Sequence, residues 1–128
     1  MNKLIIDVAN EKIFLMVITN LSIYNITHEN TKNNYEKLTI IIDDFLLSKN
    51  LKIADINGIY INMGPGSFAG IRNSISVVKA FNIVKNIDYY CYNLDDFKDE
   101  KDLSYENIPD LCKKYKIKKN LINPVYLS

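Results

Sequence analysis

At 128 residues, with 48% hydrophobic and 24% charged residues and a formal net charge of +1, the chain has the make-up of one globular domain, with or without an appendage. That balance marks no nucleic-acid or membrane partner, no apolar run reaches the length of a membrane span, and the apolar run at 4–6 is broken by Asp7, unlike a signal peptide. Cys91 and Cys112 match no metal or redox spacing, so a cytoplasmic chain with free thiols and neither metal nor cofactor is expected.

Three strand-like runs open the chain: "KLIIDVA", "KIFLMVIT" and "LSIYNIT". They are rich in isoleucine, valine and aromatics, and their short polar breaks predict an antiparallel meander. The segment "NTKNNYEKLTIIIDDFLLSKN" follows, with Asn30 or Thr31 as the predicted helix cap. Tyr35, Leu38, Ile41, Ile42, Phe45 and Leu46 share one helical face, which should pack on the sheet. Ile40 and Leu47 lie seven apart on the opposite side, as two stray surface side chains or as a second contact surface.

A fourth strand, "INGIYINM", runs into the loop "GPGSFAGIR". Three of the four glycines of the chain, Gly64, Gly66 and Gly70, sit there, with Pro65 and the only arginine, Arg72. A helix is predicted from about Phe68 to Asn86. Ile71, Ile75 and Val78 form one apolar strip and Val77, Ala80, Phe81 and Val84 another, so the helix should be covered on more than one side. A fifth strand, "IDYYCY", follows, and "NLDDF" begins a further helix. The order β-β-β-α-β-α-β predicts an α/β fold with a mixed sheet, the lobe of ribonuclease-H-like proteins and of the actin, Hsp70 and sugar-kinase superfamily.

The glycine loop joins a strand to a helix, where free N–H groups and the positive end of a helix dipole lie together. It reads either as a phosphate cradle or as a tight corner, with Gly64 and Gly66 able to take positive φ, Ser67 as cap and Gly70 allowing close backbone approach. It is neither a Walker A loop nor a dinucleotide fingerprint, since the lysine of the first and the spacing of the second are missing. Arg72, in a chain that uses lysine everywhere else, suggests a planar contact that only a guanidinium makes.

"GPGSFAGIR" resembles the Gly-Pro-Gly-Ser-Phe-Thr-Gly-(Leu/Val)-Arg signature of the TsaB family, the non-catalytic partner subunit in bacterial biosynthesis of threonylcarbamoyladenosine in tRNA. "LIIDVANE", "ADINGIYINMGPGSF", "YNLDDF" and the terminal "NPVYL" resemble family segments in the same order. Departures are Ala69 for the signature threonine, Val8 for the threonine after the first aspartate, Asn34 where a histidine is common, and Ser128 for the tail arginine. The resemblance implies a first lobe at 1–97, a short remnant or connector at 98–122 in place of most of the second lobe, and a tail at 123–128.

It further implies a scaffold that pairs with the catalytic paralogue TsaD through first-lobe helices, with the ATPase TsaE joining and tRNA touched only indirectly. Ile40, Leu47, Arg72, Ser74, Ser76 and Ala80 are then the expected partner surface, with a homodimer through the same faces as the alternative to the heterodimer when no partner is present. The alternatives are an ATP-handling enzyme of the kinase superfamily, with Asp7 as a degenerate phosphate or metal position, or a homodimeric protein that has lost the tRNA-modification role. Against the first, the turn after Asp7 holds no glycine or hydroxyl, and no glycine follows Gly70. A metallopeptidase, the family's older label, is excluded by a single histidine, His28, and the lack of an HExxH motif. Lys113, Lys114, Lys116, Lys118 and Lys119 with Tyr115 could touch RNA phosphates, although a solvated helix end is the plainer reading.

Overall fold

A computed structural model describes residues 1–122 together with 126–127. Its main sheet has the order β3-β2-β1-β4-β6. Strands β1 (Lys3–Asp7), β2 (Lys12–Ile18) and β3 (Ile23–Glu29) form the antiparallel meander. Strands β4 (Gly58–Asn62) and β6 (Asp88–Tyr92) join parallel to β1, in register Leu4↔Ile59↔Tyr89. The crossovers run through α1 (Lys32–Tyr35), α2 (Leu38–Ser48) and, after the two-residue strand β5 (Gly66–Ser67), α3 (Phe68–Lys85).

The single helix predicted after β3 is divided. Thr31 caps α1, its hydroxyl accepting from Asn34 N–H at 3.3 Å. The chain leaves helical geometry at Lys37, at φ −103° and ψ 21°. Asn34 turns its side-chain amide to the Glu29 carbonyl at 2.8 Å, the local bonding that makes asparagine a weak helix former. Just beyond α2 and α3 the chain turns left-handed at Asn50 and Asn86, at φ 59° and 55°. Asparagine is the residue besides glycine that accepts such a stop readily.

Alternation along the strands produces two cores. Leu4, Ile6, Val8, Ile13, Leu15, Ile59 and Ile61 meet α2 and α3 through Leu38, Ile42, Phe45, Leu46, Ile71, Val78 and Phe81. Ile5, Met16, Tyr60 and Tyr92 point the other way. The predicted helix at "NLDDF" is one 3-10 turn, Leu94–Phe97, closed by Asn93 N–H to the Asp96 carboxylate at 2.9 Å, and it sets Phe97 into this second core. The stretch left open by the sequence folds onto the same face. A 3-10 turn at Tyr105–Asn107 leads into α4 (Ile108–Lys114), which buries Ile108, Leu111 and Cys112 there.

A short strand β7 (Tyr126–Leu127) pairs parallel with β5. The rest of the tail resemblance, at 123–125 and 128, lies outside the described residues. Among the described residues no helix is long and apolar enough to cross a membrane.

Candidate functional site

Two groups of residues named from the sequence meet where the parallel strands end. The glycine corner is fixed by what it touches. Asn62, at the end of β4, accepts Gly64 N–H at 2.9 Å, and Gly64 stands at φ 117°, a conformation open to glycine. The Gly64-Pro65 peptide is cis. Ser67 N–H donates to the Ala9 carbonyl at 2.9 Å, so β5 lies against the turn that follows β1. A side chain at Gly66 would overlap the Ala9 carbonyl, and one at Gly70 the Val8 carbonyl. Ser67 caps α3 weakly, its hydroxyl 3.4 Å from Gly70 N–H.

The corner therefore locks α3 onto the β1 turn. An open pocket of about 450 Å³ borders it, lined by Ala9, Asn10, Glu11, Asn30, Pro65, Gly66 and Ser67. The side facing the glycines carries a carboxylate and amides but no cation, which is poor chemistry for a phosphate.

Asp7 sits beside this corner, 2% exposed, on the face of the second core. Its oxygens are already engaged. One accepts Ala9 N–H at 3.0 Å; the other accepts the Asn62 amide at 3.1 Å and the Tyr105 hydroxyl at 2.6 Å. Asn10 adds longer contacts at 3.4 and 3.5 Å. The Tyr105 ring stacks on Phe14 with centroids 3.9 Å apart, which holds it as a roof over the carboxylate.

Burial, with the neighbouring Asp7 charge, raises the Tyr105 phenol above its ordinary range and keeps it a proton donor. Tyr92 lies fully buried nearby, and its hydroxyl has no partner among the described residues. Its phenol is raised by burial first and then by Asp7 and Tyr105. Among the described residues no group of three or more His, Cys, Asp and Glu side chains could hold a metal ion.

The residues expected on a partner surface divide. Ile40 and Leu47 are each 58% exposed on the outer side of α2. Arg72, Ser76 and Ala80 are exposed on α3, and the Arg72 guanidinium lies 5.8 Å from the centroid of the Phe68 ring. Ser74 does not belong with them. It is completely buried, and its hydroxyl donates to the Ile71 carbonyl at 2.8 Å, because position 74 follows Ile71 on the sheet-facing side.

Val84, read from the sequence as part of a covered strip, is 73% exposed, and its neighbour Ile83 is 78% exposed. Val84 continues the exposed i, i+4 row of Arg72, Ser76 and Ala80, the row that faces away from the sheet. Asn62 and Tyr105 escaped sequence reading altogether, since they reach Asp7 from 55 and 98 residues away.

The family model for TsaD, tRNA N6-adenosine threonylcarbamoyltransferase, matches residues 23–93, more than half of the chain. Among solved structures, YeaZ from Pseudomonas aeruginosa superposes with a TM-score of 0.66 at 17% identity, over 72% of this chain and 43% of YeaZ. The chain thus spans less than half the length of YeaZ. RuvC from Thermus thermophilus, in complex with a Holliday junction substrate, superposes with a TM-score of 0.52 at 9% identity, over 98% of this chain and 86% of RuvC. No curated protein matches. At these identities the likeness is one of fold: a mixed five-stranded sheet with helices, as expected for an actin-like lobe.

Proposed function

Since this chain belongs to the family of TsaD, tRNA N6-adenosine threonylcarbamoyltransferase, we propose that it acts in threonylcarbamoyladenosine modification of tRNA as a non-catalytic cytoplasmic subunit. In this reading it pairs with the catalytic TsaD paralogue through the outer faces of α2 and α3, and TsaE joins the larger complex.

The observation that carries the proposal is the closure of Asp7. A carboxylate that served a nucleotide or its metal would have to present oxygens to that ligand. Here Asp7 spends them on Ala9, Asn62 and Tyr105, beneath a stacked ring. The glycine corner likewise spends its backbone groups inside the protein. The exposed side chains of these helices include large apolar ones: Ile40 and Leu47 on α2, Ile83 and Val84 on α3. Such side chains on neighbouring helices suit a helix-to-helix interface with a related lobe.

The test is size-exclusion chromatography with light scattering, with and without the TsaD subunit of the same organism. A one-to-one complex is the expected result. Ile40→Asp and Leu47→Asp should weaken it by at least about tenfold, the loss of one interface anchor. Their melting temperatures should stay close to the parent value, since both side chains face solvent. A homodimer indifferent to TsaD, or a complex untouched by both substitutions, would count against the reading.

A further inference from the structure

A second pocket, of about 400 Å³, opens at the other end of the sheet, away from Asp7. Lys3 begins β1, and Tyr60 and Tyr90 project from β4 and β6 as stacked rings 4.9 Å apart. Asp110, Lys113 and Lys116, from α4 and its exit, form the opposite wall.

The charges in this concavity are unbalanced. Lys114 is bound to Glu100 at 3.0 Å and Lys119 to Asp88 at 3.6 Å. Lys3, Lys113 and Lys116 take part in no ion pair among the described residues. Three lysines and one carboxylate, Asp110, thus line the pocket, an excess of positive charge that an anion would relieve. The Tyr60 phenol, pushed up to about 12 by burial and then by Tyr90, Cys112 and Asp110, stays a neutral donor.

The backbone at Lys116 points the same way. Lys116 ends α4 in the left-handed region at φ 56°, where Ile117 N–H donates to the Cys112 carbonyl at 2.9 Å. The other non-glycine residues at positive φ among the described residues are Asn50, Asn86 and Asn120. Asparagine tolerates this conformation, whereas a long side chain gains nothing from it. The turn geometry therefore does not account for a lysine at 116.

We propose that this pocket binds a backbone phosphate of RNA, with Lys3, Lys113 and Lys116 as its cationic contacts. Cationic side chains beside aromatic rings in a groove are the usual equipment for single-stranded nucleic acid. The choice of RNA as the phosphate source rests on the tRNA-modification reading; the phosphate chemistry rests on the pocket. The contact is direct, where the sequence resemblance implied only an indirect one.

Fluorescence anisotropy of the full chain with an end-labelled tRNA transcript, across a salt series, tests it. Lys116→Asn places at φ 56° the residue that the chain uses at its other such positions, so the melting temperature should hold or rise. Affinity should nevertheless fall several-fold, and the slope of log affinity against log salt should shrink by about one. Lys113→Gln should repeat the loss, and Lys32→Gln, at the Asp7 end of the sheet, should leave both quantities unchanged.

Absence of tRNA binding, an unchanged salt slope in both pocket variants, or an equal loss in Lys32→Gln would overturn the proposal. Displacement by AMP at matched phosphate concentration would overturn RNA as the source. Elution of each variant with TsaD, measured in parallel, separates the two readings. An intact complex without RNA binding removes the pocket alone; RNA binding without a complex removes the partnership alone.

Discussion

Two tyrosine hydroxyls near Asp7 have opposite fates, and the difference is measurable. Tyr105, partly buried, gives its proton to a buried carboxylate; Tyr92, fully buried, gives its proton to no group among the described residues. Tyr105→Phe should cost about 1.5–3 kcal/mol in a denaturant melt, the worth of a hydrogen bond to a charged group. Tyr92→Phe should be neutral or stabilising, because it removes a polar group that burial has already stripped of water.

The same environment sets an alkaline limit. Burial pushes the Cys91 and Cys112 thiols up to about 12, from an ordinary value of 9.0, and the Tyr60 phenol up to about 12, from 10.0. A raised value in the folded state means that the unfolded chain ionises first. The contribution of these groups to stability should be fully present below about pH 8.5 and be lost as pH rises from there towards 12. Urea melts at successive pH values would check this; stability that increases above pH 9 would contradict it. At this scale the sequence revealed the glycine corner, whose composition is local, and Asp7 as a residue type. It did not reveal what occupies Asp7, because the roof arrives from a distant part of the chain.

The helices were legible to the extent that a period can speak. The face of Leu38, Ile42, Phe45 and Leu46 is buried and the face of Ile40 and Leu47 is not, as seven-residue spacing implies. What the period omits is the neighbour. Ser74, expected on the partner surface, meets the protein's own interior instead. The division of the first helix goes with a local bond, Asn34 to the Glu29 carbonyl, that periodicity does not register, whereas the fold of the region after Phe97 follows from tertiary contacts that no window of the sequence contains. That region holds part of the core. Leu111→Ala should destabilise the protein by about 2–5 kcal/mol, as for other buried leucines, and a cost under about 0.5 kcal/mol would mean that α4 is not packed on the sheet.

For the molecule as a whole, the arrangement is a sheet covered on both sides by parts of very different length. One face is closed by two helices lying between β3 and β6, and the other by the last short helix. The two faces are therefore completed at different moments in biosynthesis. Every strand of the main sheet, with α2 and α3, lies within the first 92 residues, whereas α4 begins at Ile108. At about 5–20 residues per second, the ribosome needs roughly one to a few seconds to deliver the missing helix. During that interval the nascent chain carries Ile5, Met16, Tyr60 and Tyr92 on a bare, twisted sheet. A chaperone that patrols emerging polypeptides would find its binding surface there, and would lose it when α4 docks.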